Sequence, residues 1–345
     1  MSQQSRHVAT LAGSKPVFES DGGTIQQLTA DEFGILRRLS IKRIVLEPGA
    51  IREPQWNVNA NQLAIVVSGR VLVSTLGDAD SFSSFVVEAG QMYHVESGAI
   101  YHIENVGDET AVVIAALRTG HPRHFSLQDG FSAMTDAVLG NTYGLPASAF
   151  APLKRSPADI GIGLRQSAAV VTGAELHLDP YKLALEAQIA PLASPAGSAR
   201  LARKQFWPVL ENIAMYSLRV TDHGMREPHW HPATAEMGYV AQGRARMTVL
   251  SPGASVDTYE LGPGDVYFIP RAYPHHIEDI GTGDIHFLIF FDQATPGDIG
   301  CKALASAYSR EVLAATFGCD VGTLPWFPFT AQDPLIVPRD NPVDR

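Results

Sequence analysis

GMREPHWHPATAEMGYVAQG, running from Gly224 to Gly243, holds two histidines one residue apart, His229 and His231, and a glutamate, Glu236, on the next strand-like stretch. Side chains alternate faces along a strand, so His-x-His puts both imidazoles on one side of a sheet and turns Trp230 to the other. A short excursion through Pro232 brings Glu236 back onto the following strand as a third inward group. This is half of a metal site. The rest must come from the stretch that opens at Gly264, GDVYFIPRAYPHHIEDIG, where the pair His275 and His276 offers one more imidazole.

Working outward, the chain repeats itself. Displaced by 174 residues, REPQWNVNANQ (Arg52 to Gln62) falls on REPHWHPATAE (Arg226 to Glu236) without a gap. The register continues: Gly69-Arg70 falls on Gly243-Arg244, Gly90 on Gly264, Tyr93 on Tyr267, His102-Ile103-Glu104 on His276-Ile277-Glu278, and Gly107 on Gly281. Both halves carry short alternating apolar runs, such as LAIVVSGRVLVSTL and MGYVAQGRARMTVL, punctuated by glycine, proline and acidic residues, which predicts a β-sandwich or barrel in each. Helix-like sequence follows each set, Phe125 to Gly140 and Gly300 to Gly318, and the closing glycine of each is read as a left-handed helix stop. The expected organisation is therefore 1–172 and 173–345, with a linker inside the Ala-, Pro- and Ser-rich stretch from about 151 to 202.

Composition narrows the function. The 345 residues are 45% hydrophobic and 18% charged, as a packed globular protein requires. A formal charge of −10 argues against nucleic acid as the partner. The start lacks the apolar core of a secretory signal and no run is long enough to span a bilayer, which predicts a soluble, cytoplasmic protein with no membrane partner. Cys301 and Cys319 form no disulfide framework and are read as free thiols.

These residues resemble a cupin, and the whole chain resembles the bicupin oxalate decarboxylase family. The first cupin motif, G-x5-H-x-H-x4-E-x6-G, is met by Gly224, His229, His231, Glu236 and Gly243 with its first spacer one residue short. The second, G-x5-P-x-G-x2-H-x3-N, reads Gly264, Pro270, Ala272, His275 and Asp279, so the resemblance selects His275 over His276 as the fourth ligand. It implies an all-β fold of two tandem jelly-roll barrels, each followed by short helices. It also implies a small carboxylate substrate and a homo-oligomer, trimeric or hexameric. The implied cofactor is Mn(II), with dioxygen as co-substrate. Three imidazoles and a carboxylate also leave Fe(II), Cu(II), Zn(II) and Ni(II) open.

The first half departs from the pattern. Gln55, Asn57, Gln62 and Tyr101 stand where the second half has His229, His231, Glu236 and His275, and amides and a phenol are poor ligands for a transition metal. One metal centre, in the C-terminal half, is expected. By resemblance Arg226 polarises the substrate, since a planar guanidinium suits a carboxylate, although its repeat in Arg52 also fits a solvated arginine at the entry to a strand. The family's mobile lid carries a glutamate as proton donor; here DQATPGDIG (Asp292 to Gly300) offers only Asp298, which as readily serves the start of the helix after it. The expected activity is conversion of oxalate to formate and carbon dioxide. An oxalate oxidase-like reaction giving peroxide and a non-catalytic metal- or ligand-binding cupin are the alternatives. His276, repeated in His102, and Trp230, repeated in Trp56, are read as structural.

Overall fold

The computed structural model describes residues 6–153, 161–167, 171–173, 177–331 and 333–343. It divides into two compact units, one of Ser14–Ala184 and one of Met1–Gly13 with Leu185–Arg345. The expected cut at 172/173 moves to Ala184 because Lys182–Leu183 still pairs with Met92–Tyr93 of the first unit. The first residues join the second unit because Val8–Thr10 pairs antiparallel with Asp265–Tyr267, and the amides of Leu11 and Ala12 donate to the Gly264 carbonyl at 2.9 and 3.1 Å. Part of the expected linker, 154–160, 168–170 and 174–176, lies outside the described residues.

Each unit is a pair of antiparallel sheets with a jelly-roll strand order, as the alternating runs require. In the second unit one sheet runs Val8–Thr10, Asp265–Ile269, Glu236–Gln242, Ile285–Phe291, Ala214–Val220, Gly197–Ala202 and Leu192–Ser194. The facing sheet runs Ser255–Leu261, Ala245–Ser251, His275–Asp279, Gly224–Trp230 and Ile299–Gly300, with Ile336–Pro338 pairing on Gly224–Trp230. Inward residues of both sheets, among them Val240, Met247, Val249, Ile277, Phe287 and Phe291, form its core. The first unit repeats the plan around Val66, Val71, Val73, Phe85, Val113 and Ile103.

Among the described residues two α-helices follow each barrel. Those of the second unit, Cys301–Ala307 and Arg310–Phe317, end as expected at Gly318, whose φ of 65° is left-handed. In the first unit the helices are Leu127–Ser132 and Asp136–Tyr143, and the left-handed stop is Gly144 rather than Gly140. Gly140 lies inside the helix, where a Cβ would come within 2.7 Å of the Leu145 carbonyl oxygen. Its lack of a side chain reflects close packing, not chain reversal.

The repeated Arg-Glu pair has a structural purpose in both units. Nη1 of Arg52 donates to the Gly161 carbonyl and Oε1 of Glu53 accepts the Gly161 amide. Likewise Nη1 of Arg226 donates to the Leu335 carbonyl and Oε1 of Glu227 accepts the Leu335 amide. Each pair clips a returning strand, Ile162–Leu164 or Ile336–Pro338, onto the strand that bears it. The short strands gain polar anchors that their few ladder bonds cannot supply.

Candidate metal centre

The repeat places the candidate ligands at strand ends facing into the second barrel. His229 and His231 close the strand Gly224–Trp230, Glu236 opens the next, and His275 opens the strand whose register sets it opposite His229. One ligand atom from each of these four buried residues lies within 4.8 Å of all the others. His276 points elsewhere, its Nε2 lying 3.6 Å from Glu278, so the alternation of the strand separates the two adjacent histidines.

Backbone carbonyls orient all three imidazoles. Nδ1 of His229 lies 2.8 Å from the Glu227 carbonyl, Nδ1 of His231 3.0 Å from that of Gly297, and Nδ1 of His275 3.0 Å from that of Tyr273. A donor hydrogen on each Nδ1 leaves Nε2 as the lone-pair nitrogen facing the centre. Among the described residues Nε2 of His275 has no hydrogen-bond partner, although the ring is buried. Burial, joined by the charge of Arg226, pushes His229 well below the ordinary imidazole value and keeps it neutral. Burial alone would raise Glu236, but His275 and His231 outweigh it and hold the carboxyl well below the usual carboxylate range. Three neutral-capable nitrogens and one carboxylate, oriented and withdrawn from water, fit a divalent transition ion.

Around this set lie residues the motif does not name. The Tyr267 hydroxyl donates to Oε1 of Glu236 at 2.6 Å, while Oε2 lies 2.6 Å from Nε2 of His231 and 3.5 Å from that of His275. The sequence signal for Tyr267 was its repetition as Tyr93 together with the bare Gly238 opposite it in register. Arg226 reaches the site with its second nitrogen: Nη2 donates to Oδ1 of Asp298 at 2.8 Å. The same oxygen lies 3.1 Å from Nδ1 of His231. Asp298 thus links the arginine to a ligand histidine. Its loop is held in turn by the Tyr216 hydroxyl, which donates to the Pro296 carbonyl at 3.3 Å.

A small cavity of about 20 Å³, room for little more than a water, adjoins the centre. Arg226, His231, Glu236 and Asp298 supply its polar wall, and Tyr216, Leu218, Ile277, Ile289 and Phe291 are among the apolar residues that complete it. Such a space admits only a small ligand, and Arg226 supplies the group in its wall whose planar donors suit a carboxylate.

The cupin model matches residues 9–149 and 190–323, covering both barrels. This chain belongs to the cupin family. Among curated proteins it is similar to the oxalate decarboxylase OxdC of Bacillus subtilis (strain 168), 27% identical over 286 residues that span 81% of this chain and 73% of that protein. A probable oxalate decarboxylase of Arthroderma benhamiae is 23% identical over 87% of this chain and 76% of its own. A solved structure of B. subtilis oxalate decarboxylase, from work on its Mn(II) centres, superposes with a TM-score of 0.85 at 22% identity, covering 98% of this chain and 90% of that one. The similarity to oxalate decarboxylases thus runs through both cupin barrels. No helix among the described residues is long and apolar enough to cross a membrane.

The first barrel replaces ligation by hydrogen bonding. Nη2 of Arg52 donates to Oε1 of Gln55, Nε2 of Gln55 donates to the Tyr101 hydroxyl at 2.9 Å, and that hydroxyl donates to Oε1 of Gln62 at 2.8 Å. Among the described residues the C-terminal set is the one His/Glu cluster of metal-binding geometry.

Proposed function

We propose that this bicupin is a manganese-dependent carboxy-lyase that converts oxalate, or a closely related small carboxylate, to formate and carbon dioxide at its single C-terminal centre. One observation carries the reading: a buried three-histidine, one-glutamate set shares a small cavity with a buried arginine whose second nitrogen faces it. His229, His231, Glu236 and His275 would hold the metal, which supplies Lewis-acid and redox chemistry when bound.

The chain's own residues supply the rest. Arg226 is anchored through Nη1 to Leu335, so Nη2 is pre-positioned to take a substrate carboxylate. That carboxylate competes with Asp298 for Nη2. Displaced from the guanidinium, the Asp298 carboxyl is released to turn toward the substrate. It then serves as the acid that gives a proton to the carbon left when the C–C bond breaks and carbon dioxide departs. The apolar wall from Leu218 to Phe291 limits bulk water, which keeps that proton under the control of one residue.

The test pairs elemental analysis of the purified chain with assays for formate and peroxide on oxalate, in air and with dioxygen removed. About one Mn per chain, as a single four-ligand site requires, with formate as product is the expected result. Peroxide without formate would move the reading to an oxidase, and neither product would overturn oxalate as substrate.

We place the chain in the cytoplasm, in keeping with its two free cysteines. We also propose that it assembles as a trimer or hexamer. In support, the last helix and the irregular stretch after it expose Phe317, Trp326 and Phe329, at 68%, 85% and 83%.

A further inference from the structure

The interior of the first barrel contains groups that this chemistry does not use. Arg52 settles how its amides are turned. A guanidinium has only donors, so the Gln55 atom it meets is the carbonyl oxygen, and Nε2 of Gln55 must face Tyr101. The Tyr101 oxygen is then an acceptor on that side and sends its hydrogen to Oε1 of Gln62. The chain of donation runs in one direction from the arginine, and it ends on Nε2 of Gln62, a buried N–H₂ with no partner among the described residues.

Two more donors share that end of the barrel. The hydroxyl of Tyr93 is fully buried and without a partner among the described residues. Its counterpart in the second barrel, Tyr267, donates to Glu236, the residue that Gln62 replaces. The amide of Asn57, in the place of His231, is also buried and lies against the Tyr101 phenol, its Nδ2 reaching no hydrogen-bond geometry among the described residues. Burial raises the Tyr101 phenol while Arg52, Gln62, Gln55 and Asn57 oppose the rise, so these side chains surround one phenol. Gln55, Asn57, Gln62, Tyr93 and Tyr101 are each no more than 3% exposed.

We propose that the first barrel binds a small monovalent anion, a halide or a formate-sized carboxylate, where the second barrel gathers its metal ligands. Substitution has reversed the polarity of the position. Metal ligands present lone pairs, whereas amide nitrogens have none to give and present hydrogens, as the phenol of Tyr93 does. The buried Arg52 guanidinium, with the Glu53 carboxylate 3.6 Å from its Nη1, stands at the head of the chain, and hydrogens turned inward from amides and phenol favour a charged acceptor. Gln55, Tyr101 and Gln62 are joined directly, which confines the occupant beside them and keeps it small. The proposal is independent of the chemistry at the C-terminal centre.

The test uses the full, metal-loaded chain. Crystals soaked in sodium bromide should give an anomalous peak between Gln62 and Tyr93. Displacement of that peak by sodium formate identifies a carboxylate site, and its persistence a halide site. In solution the unfolding midpoint is followed against bromide and formate, with ionic strength balanced by bulky gluconate. The wild-type midpoint should rise with anion by several degrees. In Gln62→Glu, which puts a carboxylate where the donors were, the anion-dependent rise at the first barrel should vanish. Tyr93→Phe, which removes one hydroxyl and keeps the ring, should need roughly ten-fold more anion. The C-terminal centre is common to all three proteins, so the difference between their curves reports the first barrel. Parallel curves in wild type and Tyr93→Phe would overturn the proposal and reduce any bromide peak to an adventitious ion only. Absence of the peak at high bromide would overturn it as well.

Discussion

The Tyr267 hydroxyl meets Oε1 of Glu236 at 2.6 Å, and its ring occupies the room left by Gly238, the residue paired with it across the sheet. A Cβ at Gly238 would lie 2.2 Å from the ring, so the glycine and the tyrosine form one device. The phenol fixes one oxygen of the carboxylate and leaves the other facing His231 and His275. Burial, with Glu236 adding to it, raises the phenol well above its ordinary range, so it remains a donor at every working pH.

Removing that hydroxyl should loosen the metal without displacing the histidines. Tyr267→Phe is expected to lower metal affinity by about 10-fold, in line with the loss of an orienting partner behind a ligand. Competition with a chelator measures this directly. Gly238→Ala should do more damage, because the ring has to leave its place. Unchanged metal retention in Tyr267→Phe would show that Glu236 is oriented by other contacts.

His229→Ala should remove metal and activity together, whereas Gln55→Ala at the equivalent position of the first barrel should change neither. Their effects on stability should diverge in the other direction. Gln55→Ala breaks the buried chain between Arg52 and Tyr101 and should cost about 1–3 kcal/mol in denaturant unfolding. Metal-free His229→Ala relieves a buried imidazole of its desolvation and should cost less than metal-free Gln55→Ala. Full metal content in His229→Ala would sink the ligand assignment.

Strand alternation and an ungapped repeat made the two barrels and the ligand row readable in the sequence, since both depend on spacing alone. The boundary was less legible. Val8–Thr10 is a three-residue strand whose partner lies more than two hundred residues away, and no local pattern announces such a pairing. Gly140 was misread because a glycine packed against a turn and a glycine ending a helix look alike in sequence. Asp298 was visible as an acid but not as a bridge, because its contact with both Arg226 and His231 depends on the path of a loop.

That bridge sets up a pair of substitutions with distinct signatures. Arg226→Lys should keep the metal and impair turnover mainly through KM, since an ammonium cannot offer one nitrogen to Leu335 and a second to a carboxylate in a fixed plane. Asp298→Asn keeps the size and a hydrogen bond to Arg226 but cannot carry the proton, so kcat should fall by about 10²-fold or more with KM little changed. A variant that lost metal instead would assign Asp298 to the support of His231 alone.

Acid stability offers a test within the first unit. His94 is fully buried, and burial pushes its imidazole down to about 4. Its folded value lies below the unfolded value of about 6.5, so the unfolded chain takes up the proton first. No penalty exists above the unfolded value; stability then falls as pH drops from about 6.5 toward about 4, and levels off below that. Between about pH 7 and about pH 5 this one group should cost about 2 kcal/mol. Phe268 holds the equivalent place in the second barrel, which shows that an apolar side chain is compatible with the fold there. His94→Leu should therefore flatten the pH dependence of urea unfolding by about that amount, whatever its effect near neutrality. The comparison is between two slopes, which removes contributions common to both proteins, such as loss of metal in acid. Identical slopes would mean that His94 reaches water or a proton-accepting partner before the unit unfolds.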